Sequence, residues 1–298
     1  MTQKEKYIWL IDTIYRAKEI TLEELSYKWR DYIGGNVDDK LHRATFNRWR
    51  DAIYLQFKLD IKCNRKNNKY YISNPEVIEE DKLKKWMLDT FATGNMLSEN
   101  LDISDRILVN SIPSGLDYLK PIIEAMKKNR KVLIEYLQYE KDYSSTFPIE
   151  PYCVKLFEGR WYLLGRNNFG KVRVYCLDRI NDLVTLDETF ILPKDFDEAF
   201  DSHYGIIIGN DIEPQIVVIR AFGIQKEYLK SLPLHKSQKL KEDTEKYADF
   251  SLYIAPTFDF QQKLLSFGSA IEVIKPVELR NEIKSKVAEM AMIYNQNH

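Results

Sequence analysis

The chain has 298 residues with 44 Lys+Arg against 45 Asp+Glu, long enough for two or three cores, since one domain holds roughly 100 to 200 residues. No apolar run reaches the roughly 18 residues that span a bilayer. The three cysteines Cys63, Cys153 and Cys176 are too scattered for a disulfide framework or a zinc ribbon. A soluble, cytoplasmic protein without membrane contact is expected, because the start MTQKEKYIWLIDTIYR is too charge-interrupted for a signal peptide.

Charge is unevenly placed. Residues 1–75 hold 15 basic against 10 acidic side chains, a balance of +5 that leaves −6 for the remainder. Within residues 40–70, Lys40, Arg43, Arg48, Arg50, Lys58, Lys62, Arg65, Lys66 and Lys69 face only Asp51 and Asp60. Such a run suits a polyanion partner, although a charge cluster is by default a solvated face.

Residues 6–16 carry Tyr7, Ile8, Leu10, Ile11, Ile14 and Tyr15 at helical period. A second helix follows Thr21, which with Glu24 makes a capping-box pattern, and Leu22, Leu25 and Trp29 form its inward stripe. Gly34-Gly35 closes it. A third helix starts near Arg43, with Phe46, Trp49, Ile53 and Phe57 on one face and Arg43, Asn47, Arg50 and Tyr54 on another, beside Thr45 and Arg48. Forked donors and a carboxamide on an exposed stripe suit phosphates and major-groove base edges. Leu59–Cys63 and Lys69–Ile72 then make two short strands around the basic turn Asn64-Arg65-Lys66-Asn67-Asn68. Three helices and a basic hairpin are the order of a winged helix-turn-helix over 1–78, whose DNA-binding residues would be Arg43, Thr45, Asn47, Arg48, Arg50, Arg65, Lys66 and Lys69. A small helical domain with aromatic core and solubilising charges is the plainer alternative.

A helical linker is expected over 79–115, with Leu83, Trp86, Met87 and Phe91 spaced for packing, and Leu116–Met126 forms another apolar stripe. After Asn129 the period changes to two, in Lys131–Tyr136, Arg160–Leu164 and Val172–Leu177, as in a small, strongly bent barrel. Alternation sets Trp161 and Leu163 on one side of a strand and Arg160, Tyr162 and Arg166 on the other, while Arg173 and Tyr175 share a face of the next.

Pro151, Gly159-Arg160-Trp161-Tyr162-Leu163 and Arg173-x-Tyr175-x-Leu177-Asp178-Arg179-Ile180 resemble the pattern of WYL-domain proteins. Leu234-His235-Ser237-Gln238, Phe267-Gly268, Val273, Pro276 and Leu279-Arg280 look like the C-terminal extension, called WCX, that often follows in that family. The resemblance implies a bacterial transcriptional regulator in which a winged helix-turn-helix precedes an Sm-like, SH3-type barrel. It also implies that the barrel senses a ligand, often a nucleotide or nucleic acid. Tyr136, Lys155, Arg160, Tyr162, Arg166, Arg173, Tyr175 and Arg179 are then the candidate ligand residues, offering stacking faces and bidentate phosphate donors. Tyr136, Tyr162 and Tyr175 suit barrel packing equally well, and Arg173 and Arg179 suit ion pairs with Asp178 or Asp182. Many family members carry an arginine where Phe147 stands, so either a less basic pocket or one that prefers a different ligand is expected.

The WYL domain with its leading helix is placed at 116–190, a linker at 191–209 and the extension at 210–298. The extension has the order βαββαβα, close to a ferredoxin-like α+β unit. His235, beside Lys236 and without metal-spaced neighbours, suits a cap or packing role. No nucleophile elbow, phosphate loop, zinc-protease helix or dinucleotide fingerprint occurs, so neither an enzyme nor a cofactor is expected. The whole is a multidomain α+β chain expected to act as a homodimeric, ligand-responsive repressor on a double-stranded DNA operator. Two-fold pairing would double the few base pairs that one winged helix reads. The alternative is an accessory module that binds single-stranded nucleic acid and modulates a partner effector.

Overall fold

The computed structural model describes residues 2–36, 39–99, 101–108, 115–139, 143–194, 196, 198–208 and 212–296. The chain divides into two compact units, Met1–Asn110 and Ser111–His298.

In the first unit the helices are α1 (Gln3–Ala17), α2 (Leu22–Tyr32) and α3 (Arg43–Phe57). Thr2 and Glu5 cap α1 reciprocally, and Thr21 and Glu24 do the same for α2, so each start satisfies two backbone donors that would otherwise lack partners. Gly34, at φ +61°, turns the chain away after α2, a conformation that costs glycine nothing. The apolar stripes meet in a core of Leu10, Ile14, Leu25, Phe46 and Ile53, all fully buried. Trp29 lies edge-on to both Trp9 and Trp49, at 5.0 Å in each case. The hairpin of β2 (Ile61–Asn64) and β3 (Lys69–Ile72) gains a third strand, β1 (Ile20–Thr21), in the antiparallel order β1-β3-β2. That strand, two residues long, was not legible in the sequence.

Beyond a short helix α4 (Glu76–Glu79), α5 (Lys82–Glu99) folds onto the same unit, within the stretch expected to be a linker. The packing face of α5 matches the expected one at Phe91 and departs from it at its start. Leu83, Trp86 and Met87 are exposed, and the inward stripe runs through Lys84, Leu88, Phe91 and Asn95. Packing against Ile8 and Ile11 of α1 selects that stripe, and Tyr32 donates to Asn95 Oδ1 at 3.3 Å. A 3-10 turn, Leu101–Arg106, follows.

The second unit begins with α6 (Leu116–Lys127), whose Gly115 has φ +67° and sits where a Cβ would meet Leu177 Cβ at 2.4 Å. The helix lays Ile122 and Ala125 against a five-stranded antiparallel sheet of β4 (Arg130–Gln138), β5 (Tyr143–Phe157), β6 (Arg160–Asn167), β7 (Val172–Cys176) and β8 (Ile180–Thr189). The order is β7-β6-β5-β4-β8, so the two edge strands are chain neighbours, joined by the 3-10 turn Leu177–Arg179. Four inter-strand steps in a flat sheet would separate these edges by roughly 19 Å, more than so short a link can span. The sheet therefore curls, and register shifts at Arg130/Val132, Glu135/Tyr136 and Pro151/Cys153 accommodate the bend. Val132, Ile134, Ile149, Leu163 and Leu177 fill its concave side.

A helix α7 (Glu198–Asp201) leads to β9 (Gln215–Phe222), α8 (Gln225–Ser231), β10 (Lys239–Asp243), β11 (Tyr247–Ile254), α9 (Phe258–Ser266), β12 (Ile271–Lys275) and α10 (Val277–Asn295). The antiparallel order β10-β11-β9-β12 places the two strands of the split βαβ pairs side by side at the centre, as in ferredoxin-like sheets. Helices α8 and α9 cover one face, where Val217, Ile219, Phe250, Leu252, Phe260 and Leu264 form the core.

Candidate functional site

The basic residues expected to meet DNA lie on α3 and in the hairpin. A groove of about 760 Å³ runs between them, bounded by Arg50, Tyr54 and Leu55 from α3 and by Lys62, Cys63, Arg65 and Tyr71 from the hairpin. Helical spacing puts Arg43, Asn47, Arg50 and Tyr54 on the same stripe, and its inward counterpart Phe46 is locked edge-on against Tyr70 at 4.5 Å. The hairpin tip is shaped by its asparagines: Asn64 Oδ1 accepts from Lys66 N, Asn67 Oδ1 accepts from Lys69 N, and Asn68 takes φ +55°. Asn67 also donates to Glu19, tying the tip to the segment that leads into β1.

Two acids punctuate this surface. Asp51 lies 3.4 Å from Arg50 and Asp60 lies 3.2 Å from Lys62, both exposed pairs worth about 0–1 kcal/mol and readily exchanged for phosphate. Among the described residues, no ion pair or hydrogen bond engages the side chains of Arg43, Arg48, Arg65 or Lys66. Of the eight residues expected to bind DNA, Arg50 and Arg65 line the groove. Arg43, Thr45, Asn47 and Arg48 lie toward the start of α3, and Lys66 and Lys69 lie in the hairpin. Tyr71 was missed, although the alternating burial of Lys69–Ile72 is a strand signal that would have placed it outward.

In the curled sheet, the expected ligand residues divide among three places. Tyr136, Arg160, Tyr162 and Arg179 converge on Cys176 and Asp178. Arg160 reaches Asp178 at 3.6 Å, and the Cys176 thiol donates to Asp178 Oδ1 at 2.5 Å. The Tyr162 phenol lies beside the same sulfur and interacts with it electrostatically. Burial pushes the thiol up to about 11 and the Tyr162 phenol up to about 12, so both stay neutral near pH 7. Arg179 makes no ion pair with Asp178 or Asp182. It donates twice to Leu137 O, at 3.0 and 2.6 Å, with its guanidinium 4.8 Å from the Tyr136 ring and 3.9 Å from that of Tyr139. The ion-pair partner of Asp178 is Arg160, because the 3-10 turn points Asp178 back at β6. Tyr139, 64 % exposed, is the group that sequence reasoning missed. It lies past the end of its strand, where no periodicity marks it.

Arg166 and Arg173 lie at the far end of β6 and β7, the six steps from Arg160 to Arg166 covering roughly 20 Å of strand, while Tyr175 stands next to Cys176, opposite Leu163. Arg173 and Arg166 are exposed, and Arg173 stands opposite Gly165. Tyr175 is buried, 5.4 Å from Tyr136 and 5.7 Å from Phe147. Phe147 thus completes an aromatic trio instead of opening the sheet surface. Tyr136, also buried, accepts at its hydroxyl from Cys176 N at 3.1 Å. These contacts are packing ones. Lys155 points away from both groups: it donates to Gly205 O, and its ammonium lies 4.3 Å from the Phe200 ring. Burial there lowers its pKa.

His235 accepts at Nδ1 from Ser237 N at 3.3 Å and lies 2.8 Å from its hydroxyl, in the cap-like role expected. Among the described residues no cluster could hold a metal ion, and no helix is long and apolar enough to cross a membrane.

A search of curated proteins finds no match. Among solved structures, the chain is similar to proteasome accessory factor B/C (PafBC) of Arthrobacter aurescens, at 15 % identity and a TM-score of 0.40 over 99 % of this chain. It spans 48 % of the length of that structure. A CRISPR Cas-related protein matches at 14 % identity and a TM-score of 0.38, over 98 % of this chain and 85 % of the other. Family models match two segments: that of the WYL domain at residues 117–185, from α6 into β8, and that of the WCX domain at residues 213–291, from the lead into β9 through most of α10. The chain carries a WYL domain followed by a WCX domain as its C-terminal extension.

Proposed function

We propose that this protein is a homodimeric transcriptional repressor that grips duplex DNA through a winged helix-turn-helix in its first unit and senses a nucleotide or single-stranded nucleic acid through its WYL sheet, there an SH3-type barrel. The observation that carries the reading is the groove between α3 and the hairpin, where Arg50, Lys62 and Arg65 stand beside Tyr54 and Tyr71. Helix, basic hairpin and a stripe of forked donors agree on one docking geometry, with α3 in the major groove and the hairpin on the flanking backbone. Pairing of two copies supplies two half-sites. For the effector, Arg160 and the Arg179–Tyr139 stack offer a cation next to an exposed ring, the pairing that holds a phosphate and stacks a base.

Fluorescence anisotropy at about 0.15 M salt tests the reading, with the gene's own upstream duplex against random duplex and a single strand as competitor. Preference for the upstream duplex, relieved by an oligonucleotide or nucleotide, is the expected result. Equal affinity for both duplexes with tighter single-strand binding would replace the repressor reading with that of an accessory module acting on a partner effector.

A further inference from the structure

The segment between the two domains of the second unit is not slack. Tyr204 inserts edge-on against Phe157 of the WYL sheet at 5.6 Å and leans on Phe260 of α9 at 6.0 Å. Ile206 N and Ile207 N both donate to Asp259 Oδ2, at 2.8 and 3.0 Å, while Thr257 and Phe260 N donate to the other oxygen. These contacts hold open a cleft of about 460 Å³ whose walls come from the β5–β6 turn, the connecting segment and α9. Its volume falls in the range of small-molecule sites.

Four aromatic side chains face it: Phe157, Tyr162, Tyr204 and the largely exposed Phe258. Two charged groups complete it, Glu158 from the turn and Lys263 from α9. Asp259 is consumed by the backbone and by Thr257. Among the described residues, Glu158 has no hydrogen-bond or ion-pair partner, and the Lys263 ammonium has only the Phe267 ring, at 5.2 Å. Burial, helped by the nearby carboxylates of Glu158 and Asp259, pushes the Tyr204 phenol up to about 12, leaving a neutral hydroxyl donor in the cleft. An aromatic wall with one uncompensated carboxylate and one uncompensated ammonium complements a flat molecule carrying both charges.

We infer that this cleft is a second ligand site, separate from the Arg160–Arg179 cluster, and that it takes a small aromatic zwitterion, its amine toward Glu158 and its carboxylate toward Lys263. Tyr162 connects the two places. It lines the cleft and stands in register with Cys176, whose thiol donates to the Arg160-paired Asp178. A ligand seated against that side chain presses on the cluster that would meet nucleic acid.

The test uses the full chain, no nucleic acid, and three indoles that differ only in charge: tryptophan, tryptamine and indole-3-propionate, titrated by calorimetry. Tryptophan should bind saturably and tighter than either of the others. Glu158→Gln should weaken tryptophan and tryptamine about tenfold while sparing indole-3-propionate, and Lys263→Gln should weaken tryptophan and indole-3-propionate about tenfold while sparing tryptamine, one charge-assisted contact being lost each time. Both side chains reach solvent, so the variants should fold, and circular dichroism checks this. Absence of saturable binding by all three at millimolar concentration, or affinities unmoved by either variant, would overturn the inference. Because nucleic acid is absent, neither result depends on the regulator reading.

Discussion

The arginines of the two units stand in opposite situations. On α3 and the hairpin, Arg43, Arg48 and Arg65 project into solvent without partners among the described residues, and Arg50 holds only an exposed contact to Asp51. In the curled sheet, Arg179 is spent on a backbone carbonyl and two rings, and Arg160 on Asp178. A cation kept uncompensated at a surface is available to a polyanion at little cost. One that already satisfies a carbonyl must either lose that bond or recruit a ligand that tolerates it. The first arrangement suits tight, salt-sensitive binding and the second suits a responsive element, in which a ligand competes with contacts that hold the sheet end together.

Six variants test this contrast, from the largest effect to the smallest. Arg48→Ala or Arg50→Ala should weaken specific duplex binding by about 1–3 kcal/mol in anisotropy titrations, with the thermal midpoint unchanged. Unaltered affinity in both would remove α3 from the interface. Arg179→Ala should do the opposite, leaving Leu137 O short of two donors and lowering stability by about 1 kcal/mol in chemical denaturation. Unaffected stability would place Arg179 with the available cations. Lys66→Ala should weaken all duplexes alike and reduce the salt slope by about 1. Asp51→Asn, which releases Arg50, should tighten binding by a few tenths of a kcal/mol, in line with the small worth of exposed pairs. Arg173→Ala lies between the two classes, exposed yet within the sheet. It should leave basal duplex binding, the thermal midpoint and the response of the Arg160–Arg179 cluster in place; abolition of the response would extend the effector surface along β7, and loss of folding would mark Arg173 as structural.

Where local pattern and tertiary demand coincided, the structure was legible in advance. The three helices, the hairpin and the βαββαβα order of the extension follow from periods of 3.6 and 2 and from Thr21-Glu24 and Gly34, each a purely local signal. Two strands of the WYL sheet were not legible. β5 carries Pro148 and Pro151 and a Ser-Ser-Thr run, and β8 is mostly polar because most of its side chains are exposed. Neither shows the apolar alternation that a half-buried strand writes into sequence, and both exist because their neighbours pair with them. Of the candidate site, Arg160, Tyr162 and Arg179 were identified singly, but their meeting at Cys176 and Asp178 depends on the 3-10 turn and on the curl.

Residue types and spacing alone determined which elements form and where positive charge collects, because helix faces, caps and charge density are properties of contiguous chain. Only the tertiary structure decided which cations remain available. Whether an arginine meets solvent, a carboxylate or a carbonyl depends on residues far along the chain, 42 positions away between Leu137 and Arg179 and 73 between Arg16 and Asp89. The same holds for α5, whose inward stripe was selected by α1, and for the cleft beside Tyr204, whose walls come from three separate stretches of chain. Burial and pairing are pairwise properties of the folded molecule, and local sequence periodicity carries no record of them.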